Sequence, residues 1–196
     1  IPTCADLQLF SPSENELPRK PFTLGYVGSV GVWYQFEDVI SVFKEVLKFL
    51  PDARLVIVNR GDHAAIDRAL KTAAVPPTHC DVLSADHHEV PALIRRFKAA
   101  TAPTKLAEFL GVGIPVLVNS RVGDMARIVC NNNLPVGVVI DQFSLETLAR
   151  AARDIVKLAA EIDIRDRCRE VALRHFSVED GSARYSALYR ALEAAG

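Results

Sequence analysis

The chain lacks an excess of charge. Its 23 basic and 24 acidic side chains leave a formal charge of −1, and no block of like charge exceeds three residues. Affinity for nucleic acid or an anionic lipid surface needs a cationic face, so both classes are demoted. Cysteine is sparse and scattered: Cys4, Cys80, Cys130 and Cys168 show no metal-ligand spacing and read as reduced thiols in or near a core. No apolar run of about twenty residues and no signal-peptide pattern occurs, which points to a soluble, cytoplasmic piece. No initiating methionine is present, and a fragment of a longer protein is the expectation. The region between Gly25 and Phe36 has no Arg or Lys, no acidic cluster and no third glycine of a dinucleotide fingerprint.

What remains is ample for a core. The chain is 49% hydrophobic and 24% charged over 196 residues, which suits one α/β domain and excludes disorder. Apolar runs too short for helices alternate with segments of helical period. Strands are expected at residues 22–27, 53–59, 79–83, 116–118 and 136–140, and helices at 36–49, 64–74, 90–99, near 103–110, 125–129, 145–159, 162–176 and 181–194. The alternation describes a doubly wound parallel sheet, Rossmann-like, followed by extra helices. The helix read at 90–99 runs into the one near Pro103 without a strand, although a crossover must return to the sheet. That implies residues absent between Ala99 and Thr101. Tyr185, Leu188, Tyr189 and Leu192 form an apolar stripe on the last helix and read as core, with an exposed patch over part of the stripe as the alternative.

The densest stretch is 103–119. Pro103 suits a first helical position, Leu106, Phe109 and Leu110 share one face, Gly111 and Gly113 stop the helix, and Pro115 opens the buried strand Val116-Leu117-Val118. The helix start at Thr104 and Lys105 suits an anion, through unpaired N–H groups and a formal charge. Glu108, read as one turn further on, is too far along to cap the helix and well placed to accept from a pair of sugar hydroxyls. Gly28 and Gly31 form a glycine-bearing turn after the first strand, where α/β folds bring backbone close to phosphates; a tight-turn requirement explains them equally well. Arg60 stands at the carboxyl end of the second strand, where either a ligand-binding or a plain surface role is open. Another glycine turn with Arg121 leaves the strand ending at Asn119. His87 and His88 are adjacent and lack a third ligand at useful spacing, so no metal is expected.

Pro103 to Pro115 resembles the second half of a pattern found in the large group 1 family of retaining glycosyltransferases of the two-Rossmann-domain (GT-B) type. That pattern is Glu, seven residues, Glu, a small-residue turn and a Pro-led strand. The opening Ile1-Pro2, with Asp6 and Phe10, is similar to the family's interdomain phrase, and Gly28 to Tyr34 to a glycine turn found in part of the family. The resemblance implies a donor-binding C-terminal half: residues 1–21 an interdomain linker and 22–196 a nucleotide-sugar-binding domain, with an N-terminal acceptor domain absent. It implies that Glu108 holds the donor ribose, that Thr104 and Lys105 hold the diphosphate, that Gly28 and Gly31 line the phosphates, and that the loop at Ser84 meets the base. The family's usual turn cations are absent between Gly25 and Phe36, and Arg60 is the candidate replacement. The family's first Glu, which contacts the donor sugar, falls on Ala100.

The function implied is transfer of a sugar from a nucleoside-diphosphate sugar to an unknown glycan, lipid or small-molecule acceptor with retention, without metal or cofactor. It would be cytoplasmic, or peripheral at the inner membrane through the absent domain. This piece alone should turn nothing over. A nucleotide-sugar epimerase of the same fold and a non-catalytic α/β nucleotide-binding module are the alternatives, and nucleotide binding separates them from a purely structural domain.

Overall fold

The structure is a computed structural model that describes residues 3–13, 21–31, 36–101, 105–130 and 134–194. The chain runs β1 (Thr23–Val27), α1 (Phe36–Leu47), β2 (Arg54–Val58), α2 (His63–Thr72), a 3-10 turn at Pro77–His79, β3 (Cys80–Leu83), α3 (Val90–Ile94) and β4 (Ala99–Thr101). It continues through α4 (Leu106–Gly111), β5 (Val116–Asn119), α5 (Met125–Val129), β6 (Gly137–Ile140), α6 (Leu145–Leu158), α7 (Ile164–His175) and α8 (Val178–Ala194). The six strands form one parallel sheet in the order β3-β2-β1-β4-β5-β6. The order reverses between β1 and β4, and at such a switch point two neighbouring loops leave the sheet in opposite directions and open a crevice.

The strands are nearly all apolar because helices cover the sheet. Leu24, Tyr26, Leu55, Ile57, Ala99, Ala100, Val116 and Leu117 are buried. Close packing decides one glycine. A Cβ on Gly25 would lie 1.9 Å from the Phe97 ring, so only glycine lets that ring lie against β1. Phe97 in turn packs on Phe109 of α4, ring centroids 6.4 Å apart, which seats α4 against the sheet.

Several expectations need correction. A strand does separate the two helices: Ala99–Thr101 is β4, paired with β1 through Leu24↔Ala99, Gly25↔Ala100 and Tyr26↔Thr101. The preceding helix ends at Ile94, so the crossover returns to the sheet with the residues present, and the argument for a gap between Ala99 and Thr101 falls away. Ala100, the position matched to the family's first Glu, is a fully buried strand residue. α4 starts at Leu106, later than Pro103, with Lys105 at the N-cap position. The stripe on α8 is not core, for Tyr185, Leu188, Tyr189 and Leu192 are all exposed.

The segment read as a linker carries core residues. Ala5, Leu7 and Phe10 are buried, and Ala5 bridges Ser177 in parallel. Arg95 donates to the carbonyls of Ser11 and Leu9, and Arg165 to that of Ser13. No helix among the described residues is long and apolar enough to cross a membrane.

Candidate functional site

In a parallel sheet every strand ends on the same side, and the switch point lies on that side between β1 and β4. On one side of it stands α4. Pro115 and the αL glycine Gly113 (φ +83°) end that helix sharply and return the chain to β5, which fixes α4 beside the sheet. With Lys105 at the N-cap position, Glu108 lies in the first turn, at the third helical position and not one turn further on as the spacing suggested. A Glu there commonly reaches back to the cap backbone. Here Glu108 Oε1 instead accepts from Lys105 Nζ at 2.7 Å, with the Glu108 side chain 13% exposed and that of Lys105 33%. The other oxygen, Oε2, is buried and meets no polar partner. The hydroxyl of Thr101, at the end of β4, is likewise buried and unpartnered. An oriented carboxylate with one open oxygen is an acceptor prepared for a donor that arrives from outside.

On the other side is the turn after β1. Gly28 (φ +148°) and Gly31 (φ +155°) take up backbone conformations that disfavour a Cβ, and the space where each Cβ would stand is open. The Gly28 N–H continues the ladder onto the Val58 carbonyl at 3.1 Å, and its own carbonyl accepts from Asn59 Nδ2 at 2.9 Å. The single N–H of Gly28 is therefore not left for a ligand. Ser29 gives up its carbonyl to the Tyr26 hydroxyl at 2.5 Å.

Beyond β2 and β3 the loops are tied together. The Ser84 hydroxyl donates to the Asn59 carbonyl at 3.3 Å, and His63 Nε2 lies 2.8 Å from the same oxygen. Arg60 extends over the β3 loop, where Nε donates to the Ala85 carbonyl and Nη2 pairs with Asp86 at 2.6 Å. Its charge is engaged by Asp86 in an exposed pair. Ser84 and Arg60 thus sit together at the β2–β3 side, Gly28 and Gly31 at β1, and Lys105 with Glu108 across the switch point. Thr104, with Pro103, Trp33 and Tyr34, lies outside the described residues. His87 packs edge-on against Phe10 and His88, and among the described residues no three or more His, Cys, Asp or Glu gather as metal ligands would.

This parallel sheet, with its strand order reversing between β1 and β4 and a carboxylate on the helix after β4, can be set beside known proteins. The family model for "Glycosyl transferases group 1" matches residues 9–175. The chain belongs to this family. The group 1 fold recurs in a glycosyltransferase from Rickettsia africae, at 12% identity and TM-score 0.75, over 96% of this chain and 55% of that one. It recurs in the pneumococcal O-GlcNAc transferase GtfA, solved with UDP and GlcNAc, at 11% identity and TM-score 0.72, over 97% of this chain and 38% of that one. A C-terminal domain of the group 1 protein LpcC from Francisella tularensis matches at 16% identity and TM-score 0.66, over 89% of this chain and 99% of that one. The chain spans 38% of GtfA's length and 55% of the Rickettsia protein's. No curated protein sequence matches it.

Sequence reasoning passed over Asn59, Tyr26 and Thr101. A lone Asn after a strand reads as an ordinary turn residue, and a Tyr inside a strand reads as core. The one available signal for Asn59 was its place at the carboxyl end of β2.

Proposed function

We propose that this chain is the donor-binding half of a glycosyltransferase that moves a hexosyl group from a nucleoside-diphosphate sugar to an acceptor with retention. The observation that carries the reading is the open, buried Oε2 of Glu108 beside the switch point. Oε2 would accept from the ribose hydroxyls, while Lys105, already at the mouth of the crevice, would exchange its pairing with Oε1 for the negative diphosphate. Thr104 and the turn from Gly28 to Gly31 would complete the phosphate side, and Ser84 would border the base. UDP bound in GtfA supports a nucleotide as the ligand class. Charge on the departing diphosphate would be met by Lys105 and backbone N–H groups, so the reading calls for no metal or cofactor. The acceptor, a glycan, lipid or small molecule, would be bound by an N-terminal domain, and this chain alone would bind donor weakly and transfer nothing. Four free cysteines fit a reducing, cytoplasmic compartment.

The test is calorimetric titration of the chain with UDP, GDP, ADP and NAD, beside Glu108→Gln. One nucleoside diphosphate should bind near millimolar, about −4 kcal/mol, and the variant should lose most of that binding, because a hydrogen bond to a charged group is worth about 1.5–3 kcal/mol. Equal binding by wild type and Glu108→Gln would remove Glu108 from the site.

A further inference from the structure

The turn after β1 has no cation of its own among residues 25–31, yet two buried side chains set its polarity. Asn59 is 5% exposed and stands one residue past β2. Its Nδ2 donates to the Gly28 carbonyl at 2.9 Å, and its Oδ1 accepts from the N–H groups of Gly61 and Asp62 at 2.9 and 2.7 Å. Donor and acceptor ends are both used, so the amide fits one way round. Tyr26 is 1% exposed, packs edge-on against Phe36, and donates its hydroxyl to the Ser29 carbonyl. The carbonyls of Gly28 and Ser29 are thus both drawn into the protein.

In a trans peptide the N–H lies opposite the C=O. Pulling the Gly28 carbonyl inward turns the Ser29 N–H outward, and pulling the Ser29 carbonyl inward does the same for Val30. Neither N–H donates to any described residue. Successive outward N–H groups form a concave, partially positive surface that suits an anion. Gly28 and Gly31 leave the space beside it open, as no side chain could.

We infer that Asn59 and Tyr26 are positioning residues for the donor. By holding the Gly28 and Ser29 carbonyls inward they present the Ser29 and Val30 N–H groups to a phosphate of the nucleoside diphosphate. Backbone dipoles thereby take the place of an Arg or Lys in this turn. The inference rests on the donor-binding reading and deepens it.

The experiment compares wild type, Asn59→Ala, Tyr26→Phe and Glu108→Gln, each titrated by NMR with the nucleoside diphosphate that binds wild type and with the parent nucleoside. Tyr26→Phe removes one oxygen and keeps the ring packing, so it reports even if Asn59→Ala fails to fold. The expected result is a diphosphate affinity at least about fivefold weaker in both positioning variants, with nucleoside affinity within about twofold of wild type. A merely structural role would weaken both ligands by one factor. Parallel losses, or none, in variants that fold would overturn the inference while leaving the donor site standing if Glu108→Gln still loses binding. A wild type that binds no nucleoside diphosphate would overturn the donor-binding reading and this inference with it.

Discussion

Arg169 of α7 donates through Nη1 to the carbonyl of Gly111, the last residue of α4, at 2.9 Å. The same nitrogen reaches the Phe10 carbonyl at 2.9 Å, and Nη2 reaches that of Leu7 at 2.8 Å. One guanidinium thus ties the helix that carries Glu108 to the segment that precedes the sheet. The two backbones meet so closely that a Cβ on Gly111 would lie 2.8 Å from the Phe10 carbonyl. Desolvation lowers the Arg169 pKa, yet an arginine stays charged at any working pH.

Arg169→Met should therefore cost about 3 kcal/mol, since three carbonyls lose a charged donor. Arg169→Lys should recover less than half, because an ammonium cannot fork between carbonyls as a planar guanidinium does. Urea denaturation of the three proteins checks both figures.

Gly25→Ala should be among the most damaging single-methyl additions in the chain. The new Cβ would stand 1.9 Å from the Phe97 ring, and overpacking of this kind costs about 1–3 kcal/mol or more. Adding Phe97→Leu should make the double variant more stable than Gly25→Ala alone, the sign expected of two substitutions sharing one space. Thermal melts give the comparison.

Lys105→Met leaves the half-buried Glu108 carboxylate without its cation. A loss of about 1–2 kcal/mol is expected, between the values for exposed and buried pairs. Combining it with Glu108→Gln should restore most of that loss, since no uncompensated charge then remains. Denaturant midpoints at neutral pH report this without any ligand.

Thiol chemistry should separate folded from unfolded chain. Burial, and secondarily Asp81, pushes the Cys80 thiol up to about 11, and burial pushes Cys168 up as well. At pH 8 only about one Cys80 in a thousand is then thiolate, so a disulfide reagent should label Cys80 about a hundredfold more slowly in the folded chain than in the unfolded one, and the buried Cys168 more slowly still. The raised pKa has a second consequence. In the unfolded chain Cys80 ionises near 9.0, the folded state keeps its proton up to about 11, and stability from this group is present below pH 9 and lost as pH rises through 11. Urea midpoints of Cys80→Ala should fall less steeply over that window than those of wild type.

Much of the sheet was legible because its punctuation is chemical. Pro115 before Val116-Leu117-Val118, and Gly111 after Leu110, mark a helix end and a buried strand whatever surrounds them. The helix at Met125–Val129 also falls where the sequence places it. β4 was not legible, because Ala99-Ala100-Thr101 is too short to show a period and two of its residues suit a helix. The exposure of α8 was hidden for a different reason: spacing reveals that a helix has an apolar face, not whether anything covers it. Glu108 was singled out by its place after Pro103 and by the resemblance of that stretch to the group 1 pattern. Its partner Lys105 and its position in the first turn depend on where the helix begins, which is the least certain boundary in any sequence.

The shortness of β4 shapes how the molecule comes apart. Strands β1 to β3 and β4 to β6 are each contiguous in sequence and form two half-sheets. Within the sheet they meet only along three residue pairs, from Leu24↔Ala99 to Tyr26↔Thr101. α1 against α6 braces that join. Opening along this line would expose β1 and β4 while each half kept its local pairing, a cheaper event than global unfolding and one that exchange of the Lys98 amide, bonded to the Thr23 carbonyl across the join, would register. A ligand held at once by the turn after β1 and by α4 would lie across that line. Its binding energy would then reappear as slower opening, so the chain's breathing would slow in proportion to how well the crevice is filled.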